Sequence, residues 1–223
     1  MIKVVMFDLD GTLVDSSVDI TNALNYAAGP YGVGKMTVEE TIGLVGEGLT
    51  RLIEKVLGNE RAAIVPEVLD SFVGYYSEHL ADFTLPYRGV RETLEGLGNY
   101  RKAVISNKRE SLSRELLDKL GLAKYFDVIL GSDSVEEKKP SPRPIMKVLE
   151  AFSFQPDEAV IVGDSNFDID AGKAAGTWTV AVSYGFRDVG SLRGADFIID
   201  DIGELVQILA KLNAGRLNPS RSS

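Results

Sequence analysis

Aspartate, asparagine, lysine and hydroxyl side chains follow the short apolar runs of this sequence. They are Asp8, Asp10, Thr12, Ser106, Asn107, Lys138, Lys139, Asp164 and Asp168. Carboxylates gathered in one pocket cannot all stay ionised without a cation. Ligation by oxygen alone, with room left for substrate and water, suits Mg²⁺. A metal, a lysine and hydroxyl donors around a spare carboxylate are the parts of a site where that carboxylate attacks phosphorus.

Six apolar runs rich in β-branched residues predict the strands that carry these side chains. The runs are residues 2–7, 102–105, 126–130, 159–162, 177–182 and 197–199. Between most of them, apolar residues recur at helical spacing. Alternating strands and helices are typical of α/β proteins with a doubly wound parallel sheet. Because such sheets bind ligands beyond the carboxyl ends of their strands, we expect the polar residues to meet at one edge.

Residues 15–84 have helical patterns and no convincing strand, so we expect an inserted all-helical domain. Two helix starts are marked by the spacing of a capping box, at Ser16 with Asp19 and at Thr37 with Glu40. The predicted divisions are an α/β core of residues 1–14 and 85–213, a helical insertion of residues 15–84 and a flexible tail of residues 214–223.

Composition limits the partners and the location. The 223 residues carry 33 acidic and 24 basic side chains, a net charge of -9, which disfavours nucleic acid or a membrane as the main partner. An anionic ligand must then be held by local cations or a metal. Without cysteine there is no disulfide and no thiolate zinc site. No stretch approaches the ~18 apolar residues of a membrane span, and the start lacks a signal peptide, so we expect a cytoplasmic protein.

Four short motifs follow the predicted strands. Residues 8–16 read Asp-Leu-Asp-Gly-Thr-Leu-Val-Asp-Ser, a run ending at Asn107 reads Val-Ile-Ser-Asn, a third begins Lys139-Pro140, and the fourth spans residues 163–168. In this order and spacing they resemble the motifs of the haloacid dehalogenase superfamily, phosphatase branch. The first motif is highly specific, and the resemblance covers nearly the whole chain. It implies a Rossmann-like core with a mobile cap after the first motif.

The resemblance implies the catalytic roles. Asp8 would be the nucleophile that becomes an aspartyl phosphate, and Asp10 would protonate the leaving alcohol and then activate water. Lys139 would offset the charge of the attacking carboxylate and the phosphate. Lys138 directly precedes it and leaves a shifted assignment open, although the following proline favours Lys139.

The resemblance also implies the binding residues. Phosphoryl oxygens would be held by Thr12, Ser106, Asn107 and Lys139. Mg²⁺ would be bound by a side-chain oxygen of Asp8, the main-chain carbonyl of Asp10 and the carboxylate of Asp164, with Asp168 in support.

The substrate indicated is a small phosphorylated metabolite. Residues 45–48 and 85–90 resemble phosphoglycolate phosphatases, although Arg88 replaces their usual proline. We therefore expect hydrolysis of 2-phosphoglycolate by a monomer or homodimer. A phosphatase for pyrophosphate or a hexose phosphate stays open, as does a sugar-phosphate mutase of the β-phosphoglucomutase type, which shares the core motifs.

Two other classes fit less well. Haloacid dehalogenases proper lack the second aspartate of the first motif, so Asp10 disfavours dehalogenation. A receiver-like binding module, phosphorylated on aspartate, would be the alternative outside enzymes. Its acid pair and phosphorylated aspartate lie on different strands and it has no cap, so the Asp-x-Asp loop and the helical insertion count against it.

Overall fold

The computed structural model describes residues 1–215 of the chain. The strands of this part are β1 (Val4–Phe7), β2 (Val14–Asp15), β3 (Leu85–Pro86), β4 (Arg101–Ile105), β5 (Val128–Leu130), β6 (Ala159–Gly163), β7 (Trp178–Val182) and β8 (Phe197–Ile199). The helices are α1 (Ser17–Ala28), α2 (Val38–Leu44), α3 (Leu49–Leu57), α4 (Val65–Glu78), α5 (Val90–Gly96), α6 (Glu110–Lys119), α7 (Arg143–Phe152), α8 (Asn166–Ala175) and α9 (Glu204–Asn213).

A six-stranded parallel sheet forms the centre of the molecule. Its strand order is β5-β4-β1-β6-β7-β8. Each strand overlaps one of the six apolar runs, so the predicted strands are confirmed. Because β1 lies between β4 and β6, the loops that follow these three strands emerge side by side.

Both faces of the sheet are buried. In β1, Val5 and Phe7 pack in one core, together with leucines of α6 and α9. Val4 and Met6 pack in a second core, which α7 and α8 close. Successive side chains of a strand point to opposite faces, so a strand covered on both sides must be apolar throughout. This burial confirms the doubly wound α/β fold.

The helices α1 to α4 form the inserted helical domain, which we call the cap; the sheet and its flanking helices are the core. Helix α1 packs against α4, and α3 also packs against α4. The apolar stripes of α3 and α4 are buried at Leu52, Ile53 and Phe72. The short strands β2 and β3 pair in antiparallel fashion, so the two connections between core and cap run side by side.

One of the two predicted capping boxes is present. Thr37 and Glu40 bond reciprocally at the start of α2. The box predicted for Ser16 and Asp19 is wrong, although α1 does begin at Ser17, because both side chains have tertiary partners instead. The Ser16 hydroxyl donates to Asp10, and the Asp19 carboxylate accepts from the main chain and hydroxyl of Thr84.

Two further expectations concern the C-terminal tail and the absence of a membrane span. The sequence predicts a flexible tail at residues 214–223. Residues 216–223 of this tail lie outside the described residues. Within residues 1–215, every helix is too short or too polar to cross a membrane.

Candidate active site

A cavity lies at the carboxyl ends of β1, β4 and β6, between the core and the cap. Its lining includes five of the predicted residues, Asp8, Asp10, Ser106, Asn107 and Asp164. These residues come from three separate loops, and they meet because the three strands are neighbours in the sheet. The cavity is therefore the place where their chemistry can combine.

Asp8 lies in contact with a buried lysine. The Lys139 ammonium lies 3.0 Å from Asp8 Oδ1 and donates to Asp168 Oδ1 at 2.6 Å, and its side chain is 1% exposed. Burial lowers the pKa of Lys139, but the charges of Asp168 and Asp8 outweigh burial and raise it above the usual value. Lys139 is thus a fixed cation under Asp8.

Asp168 orients that lysine. Its second carboxylate oxygen accepts from the main-chain nitrogen of Ser165 at 3.2 Å and from the Ser165 hydroxyl at 2.6 Å, forming a capping box at the start of α8. Its contacts are therefore to Lys139 and to the helix start.

The carboxyl group of Asp164 is closely enclosed, and its pKa is strongly raised. It accepts from the Phe186 main-chain nitrogen at 2.7 Å, and a side chain at Gly11 or Gly185 would collide with it. Burial raises its pKa to about 8, helped by the negative charges of Asp8 and Asp168. Enclosure on this scale, with like charges nearby, favours a bound cation.

The donor set fits a hard metal ion. Asp8, Asp164 and Asp168 each offer an oxygen within 4.8 Å of the others. Burial also raises the pKa of Asp8 to about 6; Lys139 opposes this rise and Asp168 adds to it. One lysine does not balance three carboxylates, and an all-oxygen cluster matches the ligand preference of Mg²⁺, Mn²⁺ or Ca²⁺.

The predicted phosphate-binding residues occupy different positions. Ser106 lines the cavity, and its hydroxyl oxygen accepts from the main-chain nitrogen of Lys108 at 3.3 Å. The Thr12 hydroxyl lies 3.4 Å from Asp164 Oδ1, beside the carboxylate cluster. Ser106 therefore has the open position, whereas Thr12 lies behind Asp164.

Asn107 connects the core to the cap. Its Nδ2 donates to the main-chain oxygen of Gly46 in the cap at 2.8 Å and to that of Lys139 at 2.9 Å. Within the described residues its buried Oδ1 has no hydrogen-bond partner. The amide hydrogens of Asn107 thus hold main-chain groups.

Asp10 has a separate set of partners. Both of its carboxylate oxygens accept from Lys108 Nζ, at 2.7 and 2.8 Å, and one also accepts from the Ser16 hydroxyl at 2.6 Å. Lys108 Nζ is in turn 2.9 Å from the Tyr76 hydroxyl of cap helix α4. A hydrogen-bonded chain therefore runs from Asp10 across the boundary between core and cap.

Neither Lys108 nor Tyr76 was predicted from the sequence. Burial lowers the pKa of Lys108, but the charge of Asp10 and both hydrogen bonds raise it above the ordinary value, so Lys108 stays charged. Burial raises the pKa of Tyr76 to about 12. Tyr76 reads as one more residue of an apolar helical stripe. The only signal for Lys108 is its place directly after Asn107.

Arg187 is a third residue that the sequence did not reveal. It follows β7, lines the cavity, and donates to the cap carbonyls of Gly43, at 2.9 Å, and Val45. A Cβ at Gly46 would come within 3.1 Å of this guanidinium. Arg187 thus holds the end of α2 and the residue that follows it against the core.

The comparison with protein families agrees with this geometry. Residues 5–182 match the family described as haloacid dehalogenase-like hydrolase. The chain belongs to this family. The match includes the loops of Asp8, Ser106, Lys139 and Asp164, so the family assignment and the cavity concern the same residues.

Several relatives of this haloacid dehalogenase-like hydrolase are similar along almost their whole length. A phosphoglycolate phosphatase of Aquifex aeolicus is 39% identical, covering 93% of this chain and 96% of the relative. One of Chromobacterium violaceum is 40% identical with the same coverage. A crystal structure described as a predicted phosphoglycolate phosphatase from Haemophilus somnus has a TM-score of 0.87 at 29% identity, covering 93% of this chain and 98% of that one.

A β-phosphoglucomutase structure from Clostridium difficile has the same fold, with a TM-score of 0.80 at 20% identity over 98% of this chain and 100% of that one. This likeness concerns the fold alone. The family and these relatives identify the chain as a hydrolase of the phosphatase type.

Proposed function

We propose that this enzyme is a Mg²⁺-dependent phosphatase that hydrolyses 2-phosphoglycolate to glycolate and phosphate. The observation that carries the proposal is the cavity that holds Asp8, Asp10, Ser106 and Asp164 with Lys139 beneath Asp8. The relatives named phosphoglycolate phosphatase support this substrate.

Asp8 is the proposed nucleophile. Its Oδ1 accepts from the Leu9 main-chain nitrogen at 2.7 Å and faces Lys139 at 3.0 Å, whereas Oδ2 accepts no hydrogen bond from the described residues. Oδ2 attacks phosphorus, the ester bond breaks, and an aspartyl phosphate forms on Asp8. Ser106 donates to a phosphoryl oxygen during this step.

Asp10 is the proposed acid and base. Lys108 and Ser16 hold its carboxylate in the cavity. Asp10 enters the cycle protonated and gives this proton to the leaving alkoxide; it then takes a proton from a water molecule that attacks phosphorus and releases Asp8. The proton thus returns to Asp10 at the end of the cycle.

Mg²⁺ would be held by Asp8, the main-chain carbonyl of Asp10 and Asp164, with Asp168 behind them. When bound, it supplies positive charge that neutralises the phosphoryl oxygens. Lys139 adds a fixed positive charge on the side of Asp8.

The cap is the proposed lid over this chemistry, with the core at residues 1–14 and 85–213 and the cap at 15–84. Its contribution to the wall is mainly apolar, from Ile20, Leu49, Leu52 and Phe72, and the Tyr76 hydroxyl is its polar side-chain group. The several hydroxyls of a hexose would be buried there with few partners, at a cost for each unpaired group. The wall therefore favours a short leaving group over the sugar-phosphate alternative.

Phosphate release from a substrate panel tests the proposal. Purified protein should release phosphate from 2-phosphoglycolate with Mg²⁺ and not with EDTA, and with a higher kcat/KM than from glucose 1-phosphate, glucose 6-phosphate or pyrophosphate. Asp8→Asn should lose at least ~10³-fold in kcat because the nucleophile is gone. Asp170→Asn, an exposed carboxylate on α8, is the matched control.

Two results would contradict it. Asp8→Asn with full activity would remove the assigned nucleophile. Faster conversion of glucose 1-phosphate to glucose 6-phosphate than release of phosphate would make the protein a mutase.

A further inference from the structure

We propose that Arg109 binds a carboxylate on the leaving group and makes the enzyme selective for short phosphate esters of hydroxy acids. This inference rests on the proposed phosphatase function and adds a residue that reads the substrate.

Three cationic side chains line the described cavity, and two of them are already engaged. Lys108 Nζ donates to both oxygens of Asp10 and contacts the Tyr76 hydroxyl. The guanidinium of Arg187 donates to main-chain carbonyls at the end of α2 in the cap. All three ammonium hydrogens of Lys108 are thus engaged, and the guanidinium of Arg187 is held toward the carbonyls of the cap.

Arg109 is the third cation. Its main-chain oxygen accepts from Ser113 in the first turn of α6, which fixes its backbone at the start of that helix. Among the described residues, its half-buried guanidinium has neither a hydrogen bond nor an ion pair. A planar guanidinium matches a carboxylate with two parallel hydrogen bonds. Arg109 is therefore the cavity cation available for a ligand.

Charge makes such a residue necessary. The protein has a net charge of -9, and 2-phosphoglycolate is a polyanion, so the overall field opposes binding. In the proposed reaction Asp8, Ser106 and Lys139 act at the phosphoryl end, and most of the cap wall is apolar. A carboxylate at the other end of a two-carbon substrate would be desolvated there, which costs free energy unless a cation receives it.

A pair of substrates that differ only at that end tests the proposal. Ethyl phosphate has a methyl group where 2-phosphoglycolate has its carboxylate. The wild type should have a higher kcat/KM for 2-phosphoglycolate. Arg109→Met should lower that value roughly tenfold to a hundredfold, because a charge-assisted contact is lost, and should change the value for ethyl phosphate less than about twofold. Arg109→Lys, which keeps the charge without the planar fork, should lie between.

Arg193→Met is the matched control, since Arg193 is exposed and does not line the cavity. It removes the same charge and should leave the ratio of the two kcat/KM values unchanged. Thermal unfolding of each variant identifies any loss of folded protein, which would lower both values equally.

The possible failures are distinct. A wild type that hydrolyses neither ester overturns the proposed phosphatase. A wild type that hydrolyses both esters equally well overturns the role of Arg109 and leaves the phosphatase intact. Equal losses for both esters in Arg109→Met would place Arg109 on the phosphate, and unchanged kcat/KM values for both esters would remove it from binding; either result overturns the inference.

Discussion

Asp8 and Asp10 lie two positions apart on one loop, but their neighbours belong to different parts of the molecule. Asp8 contacts Lys139, which Asp168 holds, and all three come from the core. Asp10 accepts from Lys108, which also contacts Tyr76 of the cap. One carboxylate therefore has surroundings that the core alone provides, whereas the surroundings of the other need the cap in place.

The difference indicates how the proposed reaction would depend on cap position. Movement of α4 away from the core would remove the Tyr76 hydroxyl from Lys108 and leave the contact between Lys139 and Asp8 unchanged. Proton transfer by Asp10 would then be sensitive to closure, and the nucleophile would be positioned whether the cap is open or closed. Lids that complete a catalytic arrangement commonly act this way.

The largest effect should come from removing the buried cation of the core cluster. Lys139→Met leaves Asp8 and Asp168 without their counter-charge, and breaking a buried pair on one side costs about 3–5 kcal/mol of unfolding free energy. The melting temperature should fall by on the order of 10 °C. Differential scanning calorimetry measures this change. Lys139→Met with Asp168→Asn should recover part of the loss, and an unchanged Tm in the single variant would show that the cluster is not a stabilising unit.

A smaller effect should follow from pH in the absence of metal. Below its ordinary pKa of 3.8, Asp164 is protonated whether the protein is folded or unfolded; above it, the unfolded chain loses the proton, and the folded protein keeps it up to a pKa of about 8. Because the folded state binds more protons in this pH window, the free energy of unfolding falls as the pH rises, by at most ~1.4 kcal/mol per pH unit.

Thermal unfolding in EDTA should therefore show a lower Tm at pH 8 than at pH 5.5, and Asp8, with a pKa of about 6, should contribute to the lower part of the window. Mg²⁺ should raise the Tm more at pH 8, and Asp164→Asn should flatten the pH dependence. A Mg²⁺ effect of equal size at both pH values would count against ionised carboxylates as its cause.

The smallest effect should come from the contact that joins the two regions. Tyr76→Phe keeps the ring, whose centroid is 4.9 Å from Lys108 Nζ, and loses one hydrogen bond. We expect kcat to fall a few-fold, equivalent to ~1 kcal/mol. Tyr75→Phe, at the neighbouring position where the ring stacks on Tyr26, is the control and should have no effect. In a Lys108→Met background the Tyr76 substitution should also have none; additive losses would show that the two side chains act separately.

The sheet was predictable from the sequence because its strands are buried on both sides. Val4 to Phe7 are apolar without a gap, and the same holds for Ala159 to Gly163. The polar residues of the cavity come directly after such runs, so their approximate location follows from the general behaviour of parallel sheets.

Contacts between residues far apart in the sequence were not predictable in this way. Lys108 and Asp10 are 98 positions apart, and no spacing rule connects them. Asp19 has the spacing of a capping-box residue at the start of α1, but its carboxylate accepts instead from the main chain at Phe83 and Thr84. Asn107 falls in a motif that suggests phosphate binding, and both acceptors of its amide are carbonyls that only the folded chain brings near. A prediction from local spacing therefore fails where a residue distant in the sequence offers a competing hydrogen bond.

The pairing of β2 with β3 has a topological consequence. Val14 lies opposite Pro86, so the polypeptide leaves the sheet domain and returns to it at adjacent points. The whole segment between these residues is therefore a single insertion whose two ends are paired with each other. Short, adjoining ends are the arrangement in which domains are most easily inserted or exchanged. Evolution could therefore change what reads the substrate, in length or in sequence, without rearranging the strands that hold the nucleophile.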